Sequence, residues 1–151
     1  MNICRSITGA RSMVALAIFA IGSAAGANQP VSLDSAVYVE HVKPGDVRRL
    51  EPASRLGRGD RVVTVLTWRR GNGIGGFTVT NPLPRAIAYQ ASASDDTEVS
   101  ADGGRTWGRL GMLRYGTRLA TPEDVTHVRW RIPADSAARG TGQIAYSGIV
   151  R

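Results

Sequence analysis

The chain is 151 residues long, 42% hydrophobic and 21% charged, with a net charge of +7. That length points to one domain. The sign of the charge allows acidic polysaccharide or lipid head groups as partners. It does not demand them, because the arginines, Arg48, Arg55, Arg69, Arg85, Arg105, Arg118 and Arg139 among them, are scattered rather than clustered, and no nucleic-acid partner is expected.

The first predicted element is a targeting segment. Arg5 and Arg11 form a basic start, MVALAIFAI (residues 13–21) an apolar core, and Ala25-Gly26-Ala27 an A-x-A-like cleavage site. A bilayer-spanning helix takes about 20 apolar residues, and Gly22, Ser23 and Gly26 interrupt this run. The pattern predicts a secretory signal over 1–27, cleaved after Ala27, with an uncleaved anchor as the alternative. Cleavage removes Cys4, the only cysteine, which leaves no disulfide and no cysteine-based zinc or redox chemistry. Residues 28–151 are then one exported domain without a membrane span, with a leading strand and loose connection over 28–55 and a core over 56–151.

From Val31 onward the pattern is short β-type runs punctuated by Gly, Pro and Asp. VSLDSAVYVEHV (31–42) alternates, with Leu33, Val37 and Val39 among small or polar residues, and stops at Lys43-Pro44-Gly45-Asp46. A short strand fits within RRLEPA (48–53). RVVTVLTWR (61–69), rich in β-branched residues, is the best central strand. GFTVTNPLP (76–84) and AIAYQA (86–91) follow, and DDTEVSADGGRTWGRL (95–110) reads as a hairpin. In VTHVRWRIP (125–133), Val128, Trp130 and Ile132 point one way and His127, Arg129 and Arg131 the other. TGQIAYSGIVR (141–151) repeats the device with Ile144, Tyr146 and Val150. No window of helical length carries apolar residues at helical spacing. Strands at intervals of roughly 8–12 residues predict an all-β antiparallel sandwich of about seven strands.

The hairpin tip SADGGRTW (100–107) fits the pattern Ser-x-Asp-x-Gly-x-Thr-Trp. It resembles the Asp-box that recurs through the β-propellers of sialidases and related glycan-cleaving enzymes. Ser100, Asp102, Gly104, Thr106 and Trp107 carry the match. Asp102 can accept backbone N–H bonds at the tip, while Gly103 and Gly104 supply positive φ. A propeller needs at least four four-stranded blades, and one copy in a chain of this length cannot build them. A glycosidase also needs two carboxylates at a set separation, one of them kept protonated. Asp95, Asp96, Glu98 and Asp102 instead crowd one polar turn. The hairpin is therefore read as structural, with no catalytic residue.

Those same four acids raise the question of calcium, but they lack the order of a calcium-binding loop, and no metal or cofactor is expected. Gly71, Gly73 and Gly76 have the spacing of a dinucleotide fingerprint, yet FTVTN follows where a helix would be required. Arg58-Gly59-Asp60 reads as a turn before a strand. His41 and His127 lie on polar strand faces with no metal-like spacing. Trp68, Trp107, Trp130 and Tyr146 are read as core rather than as a sugar-stacking platform.

From about Leu56 the chain resembles a family, the conserved repeat domain of unknown function of bacterial secreted and surface proteins. The matching stations are Gly59-Asp60 before RVVTVLTW, then NPLP (81–84) with Tyr89, then ASAS, SADGGRTW, TPEDVTHVRWRIP and GTGQIAYSGIVR. The resemblance implies an immunoglobulin-like sandwich, an envelope or extracellular location, and no catalytic residues. The expected function is a non-enzymatic module with a structural or interaction role at the bacterial cell envelope, engaging an envelope or surface protein. The alternative is a carbohydrate-binding or glycan-active protein that uses the Asp-box hairpin and exposed tryptophans.

Overall fold

The structure is a computed structural model and describes residues 31–41 and 48–151. The predicted signal over 1–27, with Ala25 and Ala27, and the stop at 43–46 lie outside the described residues. Ten strands occur among the described residues. The first five are β1 (Val31–His41), β2 (Arg49–Pro52), β3 (Arg61–Arg70), β4 (Phe77–Pro82) and β5 (Ile87–Ser92). The others are β6 (Glu98–Ser100), β7 (Arg114–Tyr115), β8 (Arg118–Leu119), β9 (His127–Ile132) and β10 (Thr141–Val150). Every pairing is antiparallel. A five-stranded sheet in the order β2-β1-β3-β10-β5 packs against a three-stranded sheet in the order β4-β9-β6.

The protein is thus an all-β antiparallel sandwich, the architecture predicted from the alternation. Its strand count exceeds the expected seven through short pieces. β2, four residues long, is the short strand that fits within RRLEPA, while β7 and β8 span two residues each, too few to show an alternating run. The second arm of the Asp-box hairpin, in turn, reduces to one bridge, Val99 with Gly108. The helical turn α1 (Ala134–Ala137) also escapes a periodicity search, being one turn long.

The core forms where the two sheets face each other. Alternate residues of β3 (Val62, Thr64, Leu66 and Trp68) are buried, as are Val128, Trp130 and Ile132 of β9. The Trp68 ring meets Phe77 of the opposite sheet edge-on at 5.2 Å, and Trp130 lies 6.0 Å from Tyr146. Polar ends of these rings are satisfied: Trp130 Nε1 donates to Ser92 Oγ (3.1 Å), and Asn81 Nδ2 donates to the Tyr146 hydroxyl (3.0 Å). Burying each such side chain is worth roughly 1.5–3 kcal/mol. Gly142 sits directly opposite Trp68 in the β3–β10 register. A Cβ there would lie 2.4 Å from the indole, so only glycine leaves room for the ring.

The wide sheet outreaches the narrow one. Val31, Leu33, Val37 and Val39 pair with Arg70, Trp68, Thr64 and Val62, so they share the inward face of β3. Only Val39 is buried; Leu33 is 43% and Val37 38% exposed. Three strands over five leave the β1–β2 wing uncovered. The β7–β8 hairpin is pinned by Arg118, which donates to both carboxylate oxygens of Asp124 (2.6 and 2.8 Å), while Asp124 also accepts from the Thr121 N–H and hydroxyl. No described helix is long and apolar enough to cross a membrane.

Candidate functional site

The Asp-box loop leaves the buried end of β6 and closes on its own side chains. Ser100 is fully buried; its hydroxyl donates to Asp102 Oδ1 (2.8 Å) and accepts from the Gly104 N–H (2.9 Å). Asp102 Oδ1 also accepts from the N–H groups of Arg105 (3.0 Å) and Thr106 (2.9 Å), and Oδ2 from the Thr106 hydroxyl (2.6 Å). Gly103 and Gly104, at φ of 80° and 89°, make the reversal that brings these donors round. Trp107 Nε1 donates back to the Gly104 carbonyl at 2.9 Å. A strap from the neighbouring strand completes the loop: the Gly103 N–H donates to Thr126 Oγ1, whose own N–H donates to the Ser100 carbonyl.

The five residues of the motif are therefore brought together, around a carboxylate that both oxygens commit to the loop. The hydroxyl and N–H of Thr106, then the Ser100 hydroxyl and the Arg105 N–H, hold the Asp102 carboxyl far below the usual carboxylate range. Its folded pKa being depressed, Asp102 stabilises the fold fully above the ordinary value of about 4. That contribution is lost as pH falls from there towards the folded value. The loop's donors thus favour the carboxylate form of Asp102 over the protonated one.

Trp107 departs from the expected core role. It is half-buried, with the Arg129 guanidinium over its ring at 4.2 Å and the His127 ring edge-on at 6.3 Å. Trp68, Trp130 and Tyr146 are buried as expected. His127 Nδ1 lies 3.0 Å from Thr126 Oγ1, and His41 Nε2 3.7 Å from Glu51.

The neighbouring acids disperse to different partners. Asp96 pairs with Arg109 at 3.2 Å, and Glu98 with Arg129 at 2.8 Å and Arg131 at 3.2 Å. Burial pushes the Glu98 carboxyl up, but the hydrogen bonds and charges of Arg129 and Arg131 outweigh it and leave the pKa lowered. Among the described residues no three His, Cys, Asp or Glu side chains gather as metal ligands. Gly71, Gly73 and Gly76 lie in the β3–β4 connection, where the Arg70 guanidinium donates to the carbonyls of Ile74 (3.1 Å) and Gly75 (2.6 Å). A Cβ on Gly76 would lie 2.5 Å from the Ile132 carbonyl, a reason for glycine that involves no nucleotide.

One feature escaped the sequence reading. A cleft of about 350 Å³ opens between the turn after β5 and the α1–β10 corner. Trp68 and Trp130 form its floor, and Asp96, Arg131, Arg139 and Gln143 line it. A second hollow of about 420 Å³ adjoins it, sharing Asp96, Arg131 and Pro133 and adding Glu98 and Arg109. These side chains come from segments far apart in the chain, so no local spacing announces them.

No family model, curated protein or solved structure matches the chain.

Proposed function

We propose that the protein is an exported, non-enzymatic β-sandwich module of the immunoglobulin-like kind, with a structural or interaction role at the bacterial cell envelope. The observation that carries this reading is the carboxylate of Asp102. It is the acid of a motif shared with glycan-cleaving enzymes, and both its oxygens are occupied by its own loop. A glycosidase needs paired carboxylates, one kept protonated by its surroundings. Asp102 and Glu98 are both held in the charged form instead. Export is supported by the basic, apolar and small-residue order of residues 1–27. The immunoglobulin-like assignment is supported by the order of the stations from Leu56 onward, together with two antiparallel sheets packed face to face.

One preparation tests both halves of the proposal. Expressed with its own start in a bacterial host, the protein should be recovered from the exported fraction with the intact mass of residues 28–151. That material should release no chromophore from a panel of chromogenic glycosides. A full-length product held in the membrane would overturn export. Hydrolysis that disappears in Asp102→Ala at an unchanged melting temperature would overturn the non-enzymatic reading.

A further inference from the structure

We propose that the cleft between the β5–β6 turn and the α1–β10 corner binds a saccharide that bears a single carboxylate, a uronic acid unit free or joined to neutral sugars. This rests on the protein being a binding module rather than an enzyme, and it names the ligand class of that module.

The cleft is built for an anion. Arg139 lines it and makes no ion pair with any described residue. Arg131 reaches Glu98 through Nε at 3.2 Å, and its side chain is 70% exposed, so its outer nitrogens remain open to a ligand. Two guanidiniums at one hollow suit a carboxylate, which accepts their N–H groups in pairs.

The rest of the lining narrows the class. Ser94, Ser136 and Thr141 bring hydroxyls and Gln143 a side-chain amide, groups that both donate and accept. They are best used by a ligand that carries hydroxyls of its own. Asp96 stands at the same rim, its side chain 85% exposed, with Glu98 in the adjoining hollow. These carboxylates accept from sugar hydroxyls but repel a second ligand charge, which disfavours phosphate dianions and sulfate. A monoanion rich in hydroxyls fits, and a uronate is such a molecule. The volume of about 350 Å³ falls at the small end of the usual range for ligand sites. Trp68 and Trp130 are almost wholly buried, so they floor the cleft without offering a ring face for stacking. Charge and hydrogen bonds carry the recognition, and added salt should weaken it.

Calorimetric titration of the purified protein with the single sugar galacturonate tests this, with neutral galactose and inorganic phosphate as comparison ligands. Binding is expected for galacturonate alone. Arg139→Gln should weaken it about tenfold, the loss of one charge-assisted hydrogen bond, with the melting temperature unchanged. Arg85→Gln, at an exposed position outside the cleft, should bind as the wild type does. No binding, equal binding of phosphate, or an Arg139→Gln protein that binds galacturonate undiminished would overturn the assignment. Chromophore released from a nitrophenyl galacturonide would overturn the non-enzymatic reading separately, whatever the binding result.

Discussion

Strands β1 and β9 alternate apolar and polar residues alike, and both turn their apolar side toward the interior of the sandwich. In β9 that side meets the five-stranded sheet, and Trp130 is left 2% exposed. In β1 the corresponding side runs past the edge of the three-stranded sheet, and Leu33 remains 43% exposed. Alternation settles which face a side chain takes, because the register of the pleat carries it from strand to strand. Whether the face is covered depends on the width of the other layer. Stabilisation by burial should therefore be concentrated under β4, β9 and β6 and thin on the β1–β2 wing.

Substitutions at matched positions sharpen the contrast. Trp130→Ala should cost roughly 3–5 kcal/mol, the range for large aromatic truncations in a packed core. It also removes the donor to Ser92 and the ring beside Tyr146. Chemical denaturation measures it, and a loss under about 1 kcal/mol would mean that Trp130 is not a core residue. Leu33→Ser, by contrast, should cost less than about 1 kcal/mol, since much of the side chain is already in water. A loss comparable to that at Trp130 would erase the difference between the two regions.

The same contrast marks how far sequence reasoning reaches. Strands β9 and β10 alternate clearly, and their inward residues were legible from pattern alone. Strand β3, with Val62 beside Val63 and Val65 beside Leu66, was legible as a strand but not as to which side faces in. The Asp-box loop was legible too, because its donors and acceptors lie within a few residues of one another. The open wing was not, since coverage is a relation between sheets and leaves no mark on β1. Nor was the half-buried state of Trp107, which depends on Arg129 and His127 arriving from another strand. The β7–β8 hairpin stayed hidden for a different reason: two-residue strands carry no period. The cleft is the extreme case, because Asp96 and Arg139 meet only after the two sheets have packed.

The central claim is that Asp102 braces a loop as an anion. Comparing melting temperatures of the wild type and Asp102→Asn across pH tests it most directly, because acid effects on Asp124, Glu98 and the remaining carboxylates are shared by both proteins and cancel in the difference. The wild type should melt several degrees higher at neutral pH, and the gap should stay level down to about pH 5. Below about pH 4, the ordinary carboxylate value, the unfolded chain takes up a proton that folded Asp102 resists, and the gap should shrink steadily. Equal melting temperatures at neutral pH, or a gap that ignores pH, would contradict the brace.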